Sequence, residues 1–301
     1  MNTKQIRHNS MALMAALIWG TAFVAQSVGA DYVGPFTFNA ARSAVAFCFL
    51  LALCLVRRKL GRGGSQSFRD LLVSGLCCGT ALTVAANLQQ KGLETTTSGK
   101  AGFITALYIV IVPIAGLLMK KKAPKTLLLS VPLAVVGLYC LCITEEFTIT
   151  GGDFYILLCA FCFSAHILVI DYFGQRVDGV EMSCAQFLVV MALSSAGMIA
   201  TETPSWAGVS QCIWPILYVG IFSSGVAYTL QILAQKDSNP TVVSLLLSLE
   251  SVFATLAGAL ILHDQMSVRE YFGCVVMLAA VILAQLPEPK KKSCPAAAAA
   301  E

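Results

Sequence analysis

T-V-V-S-L-L-L-S-L-E-S-V-F-A-T-L-A-G-A-L-I-L, residues Thr241 to Leu262, holds a single ionisable group, Glu250, in 22 residues. As a helix it rises roughly 33 Å, enough to cross a bilayer core of about 30 Å. A carboxylate at that depth costs on the order of 2.5–3.5 kcal/mol on insertion scales, so it needs a partner, a proton or a wet cavity. Stepping back 142 positions gives G-K-A-G-F-I-T-A-L-Y-I-V-I-V-P-I-A-G-L-L-M-K, residues Gly99 to Lys120, with Tyr108 in the place of Glu250. The two stretches read as copies of one element, each with a polar group near mid-depth.

The composition agrees with a membrane solvent. Of 301 residues, 57% are hydrophobic and 12% charged, and the mean hydropathy is +0.77. Soluble domains carry about 25% charged residues, and a soluble core of this size could not hide so much apolar surface. The twelve cysteines fall mostly within apolar runs, which reads as small hydrophobic packing residues, not a disulfide or metal framework. The first run, Met11–Val28, is longer than the apolar region of a signal peptide and reads as a retained span.

The pattern predicts an all-α polytopic membrane protein with ten transmembrane helices: Met11–Val28, Pro35–Val56, Phe68–Lys91, Gly99–Met119, Thr126–Ile143, Asp153–Phe173, Val180–Ala200, Cys212–Ala234, Thr241–Leu262 and Val268–Leu286. With the N-terminus in the cytoplasm, only Lys91, Lys100 and Arg269 of the 20 Lys and Arg fall outside, and Arg42 lies within a span. The other sixteen fall inside, so both termini are expected in the cytoplasm of a cell whose inner or plasma membrane holds the chain. The divisions expected are a cytoplasmic N-terminus (1–10), a first repeat (11–143), a second repeat (152–286) and a disordered basic, Ala-rich tail (287–301).

The duplication recurs along the chain. Arg42 matches Gln186, and Trp19-Gly20 matches Phe163-Ser164, at an offset of 144. Gly75 matches Gly220 and Gln90-Lys91 matches Gln235-Lys236 at 145, and Lys122 matches Asp264 at 142. Five spans is an odd number, so the second unit enters the membrane inverted. Inverted repeats place a solute site near the midplane, at their interface, in alternating-access carriers.

A-A-L-I-W-G-T-A-F-V at Ala15–Val24, Pro35 followed by Arg42, S-L-E-S-V-F at Ser248–Phe253 and H-D-Q-M-S-V-R-E-Y-F-G at His263–Gly273 together resemble the EamA-type repeats of the drug/metabolite transporter superfamily, over residues 11–286. The resemblance implies a ten-span secondary transporter, often an exporter of amino acids or related metabolites. It also implies a central cavity lined by spans one, three, four, six, eight and nine. Two positions depart from that family: His263-Asp264 replaces the usual Gly-Glu, and Ser251 stands where proline commonly follows the glutamate. The second departure leaves unwinding beside Glu250 without its usual cause.

Two polar stripes suggest the lining. Thr80, Thr83, Asn87 and Gln90 share a helical face in the third span, as do Ser224, Tyr228, Gln231 and Gln235 in the eighth. They suit a wet cavity for a zwitterion or small polar solute, or alternatively interhelical hydrogen bonding. Glu250 reads as an amine- or proton-binding acid, or as a structural acid paired with another helix. Trp19, Phe23 and Gln26 share a face of the first span and, with Tyr108, either line the route or pack. Arg42, near the outer boundary, reads either as a snorkelling or structural cation or as an anion-binding group, and is set aside as a site. Ser244, Ser248, Ser251 and Thr255 read as a close helix seam.

The expected cavity residues are therefore Trp19, Thr83, Asn87, Gln90, Tyr108, His166, Tyr228, Gln231 and Glu250. The expected partners are a small-molecule substrate, the lipid bilayer and a coupling proton, with no cofactor and no nucleic acid; the oligomeric state is open. Two rivals stand beside this reading. Cys159, Cys162 and His166 share a helical face and would serve a metal-cation carrier, although one straight helix cannot supply a tetrahedral ligand set. An intramembrane enzyme would need a nucleophile and base, and only His166 offers itself; no metalloprotease, serine-hydrolase or phosphate-loop motif occurs.

Overall fold

Every backbone amide inside a bilayer must find its partner within the protein, and helices meet that demand one segment at a time. The computed structural model describes residues 3–62, 64, 67–96, 98–120, 126–143, 150–236, 238–257, 259–260 and 266–286, and no strand occurs among them. The cationic residues 121–125, His263-Asp264 and the tail 287–301 lie outside the described residues.

The first unit contains α1 (Thr3–Ala30), α2 (Pro35–Lys59), α3 (Phe68–Gly92), α4 (Ser98–Thr105), α5 (Tyr108–Leu118) and α6 (Leu127–Cys142). The second contains α7 (Gly151–Phe173), α8 (Gly179–Thr201), the short α9 (Trp206–Gln211), α10 (Ile213–Tyr218), a π-helical segment (Val219–Ala227), α11 (Tyr228–Gln235), α12 (Pro240–Leu247), α13 (Glu250–Ala257) and α14 (Val268–Gln285). Joined across their interruptions, nine of these stretches are long and apolar enough to cross a membrane, and α6 is a shorter apolar tenth. Large apolar side chains such as Leu118, Leu128, Ile199 and Val275 lie exposed on outer faces, as lipid-facing residues do. The protein is a multi-pass membrane protein of two inverted five-span repeats.

The first helix extends eight residues further toward its N-terminus than hydropathy indicates. Its added polar turns dock on the far end of the other unit: His8 Nδ1 meets Ser238 Oγ at 3.2 Å, and Asn9 donates to Gln285 at 2.7 Å. Hydropathy marks the apolar part of a helix, not the helix.

Packing pairs the units across a pseudo-twofold axis. α2 lies against α8, α6 against α14, and α3 packs on α7 as α10–α11 pack on α1. The matched glycines make matched close approaches. A Cβ on Gly75 would fall 2.7 Å from that of Ala185 on α8, and one on Gly220 would fall 2.8 Å from that of Val45 on α2.

The α2/α8 pair is tied at both ends. At the N-terminal end of α2 Gly34 gives no side-chain cap. The Glu202 carboxylate fills that role, accepting from Phe36 N, Thr37 N and Thr37 Oγ1 at 2.9, 2.8 and 2.6 Å. At the opposite end Arg57 grips Asp178 with two bonds of 2.7 and 3.0 Å, and Arg58 Nη2 reaches Glu181 at 2.8 Å.

The fourth span of each unit is broken at the same register. α4 ends at Thr105 and α5 starts at Tyr108; α12 ends at Leu247 and α13 starts at Glu250. The tight bonds spanning the breaks also correspond. Leu107 N→Ile104 O (3.2 Å) matches Leu249 N→Leu246 O (3.3 Å), and Ile109 N→Ala106 O (3.0 Å) matches Ser251 N→Ser248 O (3.2 Å). Proline is therefore not required for the interruption beside Glu250. In the second unit Ser248 Oγ also donates to Leu245 O, a local bond that competes with the helical ladder.

Candidate binding cavity

The broken helices begin again midway along their spans, and there the two units meet around a cavity. Its space, counting the open mouth, is about 500 Å³. Trp19, Tyr108, Tyr228, Gln231 and Glu250 of the expected set line it. Each is brought in by a different local cause.

Glu250 and Tyr108 are the first residues of α13 and α5, and the Tyr108 hydroxyl donates to Glu250 Oε1 at 3.2 Å. A carboxylate at a helix N-terminus lies at the favourable end of the peptide dipoles. Close approach of α1 carries the site: Gly20 lies against α13, where a Cβ would come within 2.7 Å of Glu250 O, Ala254 N and Phe253 Cβ. That approach sets the neighbouring Trp19 beside the acid's helix.

Tyr228 gathers the aromatic wall. Its ring packs edge-on to Trp19 at 4.8 Å, Phe187 at 5.5 Å and His166 at 5.8 Å between centroids. The Trp19 indole donates to Ser223 O at 3.3 Å, a carbonyl inside the π-helical segment, where the usual i→i+4 ladder is replaced. Phe163, the repeat counterpart of Trp19, lines the cavity from the second unit.

Four expected residues lie elsewhere. Thr83 does not line the cavity; its hydroxyl bonds Gly79 O on its own helix. Asn87 turns toward α2 and α8, accepting from Asn39 at 3.1 Å and donating to Ser194 at 3.1 Å. Gln90 donates to Gln26 O at 3.0 Å, holding the backbone of α1. Its repeat counterpart Gln235 likewise donates to Ile167 O on α7. The reason is rotational phase: adjacent helix positions lie about 100° apart, and Gln89, one step from Gln90, is the α3 residue in the lining. His166 lies fully buried behind Tyr228, with Nε2 at 3.0 Å from Gln186 Oε1.

Among lining residues outside the expected set, Arg42, which the sequence reading weighed and set aside, carries the most weight. It lines the cavity with Gln26, Gln89, Thr105 and Phe163 and is 4% exposed. A charge within a span was the signal for it. The serine stripe is a buried seam: Ser244 and Ser248 bond carbonyls of their own helix, and Ser251 faces Gly102. Among the described residues no three His, Cys, Asp or Glu side chains converge as metal ligands would, so the Cys159–Cys162–His166 alternative gains no geometric support.

Comparison with known proteins gives a consistent picture. Residues 7–143 and 150–286 each match the EamA-like transporter family. The chain is 31% identical to an uncharacterized transporter of Archaeoglobus fulgidus, over 91% of this chain and 84% of the relative. It is 24% identical to a WAT1-related chloroplastic protein of Arabidopsis thaliana, over 90% of this chain and 67% of that one. A protein of known crystal structure superposes with a TM-score of 0.78 at 19% identity, covering 92% of this chain and 96% of the other, a likeness of fold.

Proposed function

We propose that this chain, which belongs to the EamA-like transporter family, is a secondary carrier that exports small polar metabolites such as amino acids across the cell membrane. The observation that carries the reading is the meeting of two interrupted helices at one cavity, with Tyr108 bonded to Glu250 across the repeat interface. Helix ends exposed at mid-depth are how carriers present polar groups to a solute in lipid. The positive-inside charge distribution supports cytoplasmic termini.

In this reading the cavity opens alternately to either side. The two breaks act as the flexible points, and Glu250 is occupied in turn by the solute's ammonium or by a coupling proton. Neutral groups such as Gln231 and Thr105 complete the polar lining. A gradient, not a bound nucleotide, supplies the driving force, in keeping with the absence of phosphate-loop motifs in the sequence.

The test is metabolite profiling of the medium around cells overexpressing the carrier, against vector and Glu250→Gln controls. A polar metabolite that accumulates outside only with the unaltered carrier is the expected result. Identical profiles in all three cultures would remove the export reading.

A further inference from the structure

The cavity wall contains two ionisable groups of opposite sign that are not paired with each other. Arg42 and Glu250 are 4% and 5% exposed, and among the described residues neither enters an ion pair. Buried charges left without countercharge are costly, so both sites are built to receive one.

Arg42 is held by neutral acceptors. Its Nε donates to Asn39 Oδ1 at 2.7 Å and Nη1 to Gln26 Oε1 at 3.3 Å, leaving Nη2 without a hydrogen bond among the described residues. The acceptors are themselves fixed. Asn39 Nδ2 donates to Asn87 Oδ1 at 3.1 Å and to Ala86 O at 3.2 Å. Asn87 Nδ2 in turn donates to Ser194 Oγ at 3.1 Å and to Thr83 O at 2.8 Å. With both amide nitrogens committed, the Asn39 oxygen is the atom left to face the guanidinium. Residues of α1, α2, α3 and α8 thus aim one cation at the cavity.

Duplication alone does not produce this polarity. The counterpart of Arg42 is Gln186, which engages His166, and the counterpart of Glu250 is Tyr108. Each unit has kept one charge where the other kept a neutral group, and the two charges come from opposite units.

We propose that Arg42 is the anion-binding residue of the cavity and that the solute is amphoteric, with its carboxylate on Arg42 and its ammonium on Glu250 and Tyr108. This rests on the cavity being the substrate site. A guanidinium fork matches a carboxylate with two parallel bonds. A zwitterion carries both countercharges in one molecule, and Trp19, Phe23, Phe163 and Leu247 of the same lining offer apolar surface to its side chain. Asn39, Asn87 and Ser194 act as positioning residues for Arg42.

The test uses the full-length carrier in detergent with Trp206→Phe and Trp214→Phe, so that Trp19 alone of the three tryptophans reports on the cavity. Each of the proteinogenic L-amino acids is titrated. The tightest binder is then compared with the amine lacking its carboxyl group and the acid lacking its amino group. The unaltered cavity is expected to bind both analogues at least about tenfold more weakly than the amino acid, because each leaves a buried charge unmet. Arg42→Gln is expected to abolish the preference over the amine, and Glu250→Gln the preference over the acid. These ratios do not depend on the fraction of carrier that is folded. If Arg42→Gln gives no folded carrier, Arg42→Lys is measured, and its preference over the amine must fall.

Three results overturn the proposal: no amino acid binds, the amine binds as well as the amino acid, or the Arg42 variant keeps the full preference. Any of these leaves the export reading standing if medium profiles still depend on Glu250. Identical medium profiles overturn that reading separately.

Discussion

Tyr108 donates to Glu250 across a separation of 142 residues, and each opens the second half of the same span in its own unit. One contact therefore joins the repeat, the two helix breaks and the cavity. Replacing Tyr108 with Phe removes one bond to a buried carboxylate, an effect of about 1–3 kcal/mol. Export is expected to fall by about tenfold in initial rate, with surface expression unchanged. Glu250→Gln should fall further, because it removes the charge as well as altering the bond.

Two neighbouring stripes of α3 separate the pattern of the sequence from the geometry of the protein. Gln89 faces the cavity and Thr83 bonds its own backbone. Gln89→Ala is expected to weaken solute binding by several-fold, at about 1 kcal/mol for one lost hydrogen bond. Thr83→Val should leave binding within about twofold, as a group outside the lining would. Equal losses in the two variants, measured by Trp19 fluorescence, would contradict the observed rotation of α3.

Gly20 and Gly116 offer a packing test. A methyl on Gly20 collides with the backbone of α13, whereas one on Gly116 meets nothing within 4 Å. Overpacking costs about 1–3 kcal/mol, so Gly20→Ala should lower the thermal unfolding midpoint in detergent by several degrees. Gly116→Ala should leave the midpoint unchanged or raise it, because alanine favours a helix over glycine by about 1 kcal/mol.

Asp178, at the N-terminal end of α8, gives an acid-dependent tie. Burial pushes its carboxyl upward, but the Arg57 guanidinium and the amides of Glu181 and Val180 outweigh burial and hold it below the ordinary value. A depressed folded value stabilises the fold above the unfolded value of about 3.9. That stabilisation is lost as pH falls through the lower folded value. Unfolding midpoints taken from pH 6 down to pH 3 should drop less steeply in Asp178→Asn than in the unaltered carrier. The variant should already be less stable at pH 6.

Much of the architecture was legible in the sequence because lipid imposes a strict vocabulary. Apolar length gave the spans, and the nearly constant offset of 142–145 gave the pairing of Tyr108 with Glu250 and of Trp19 with Phe163. The lining was harder to read, for reasons visible at particular residues. The stripe Ser224, Tyr228, Gln231 and Gln235 assumes an α period throughout, yet Ser224 lies in the π-helical segment, and Ser223 takes its place in the lining. Hydropathy also does not give helix phase: Asn87 faces α2 and α8, and what it holds there, Asn39 beside Arg42, lies 48 positions away. Arg42 was discounted for its nearness to the boundary, because its neutral partners Asn39 and Gln26 carry no charge signal to pair with it.

The ties at both ends of the α2/α8 pair have a mechanical consequence. A helix pair staked at one end by Glu202 and at the other by Arg57 and Arg58 cannot slide by a turn without breaking several charge-assisted bonds together. In the proposed transport cycle this pair is the stator, and the compliant parts are the spans that were never continuous.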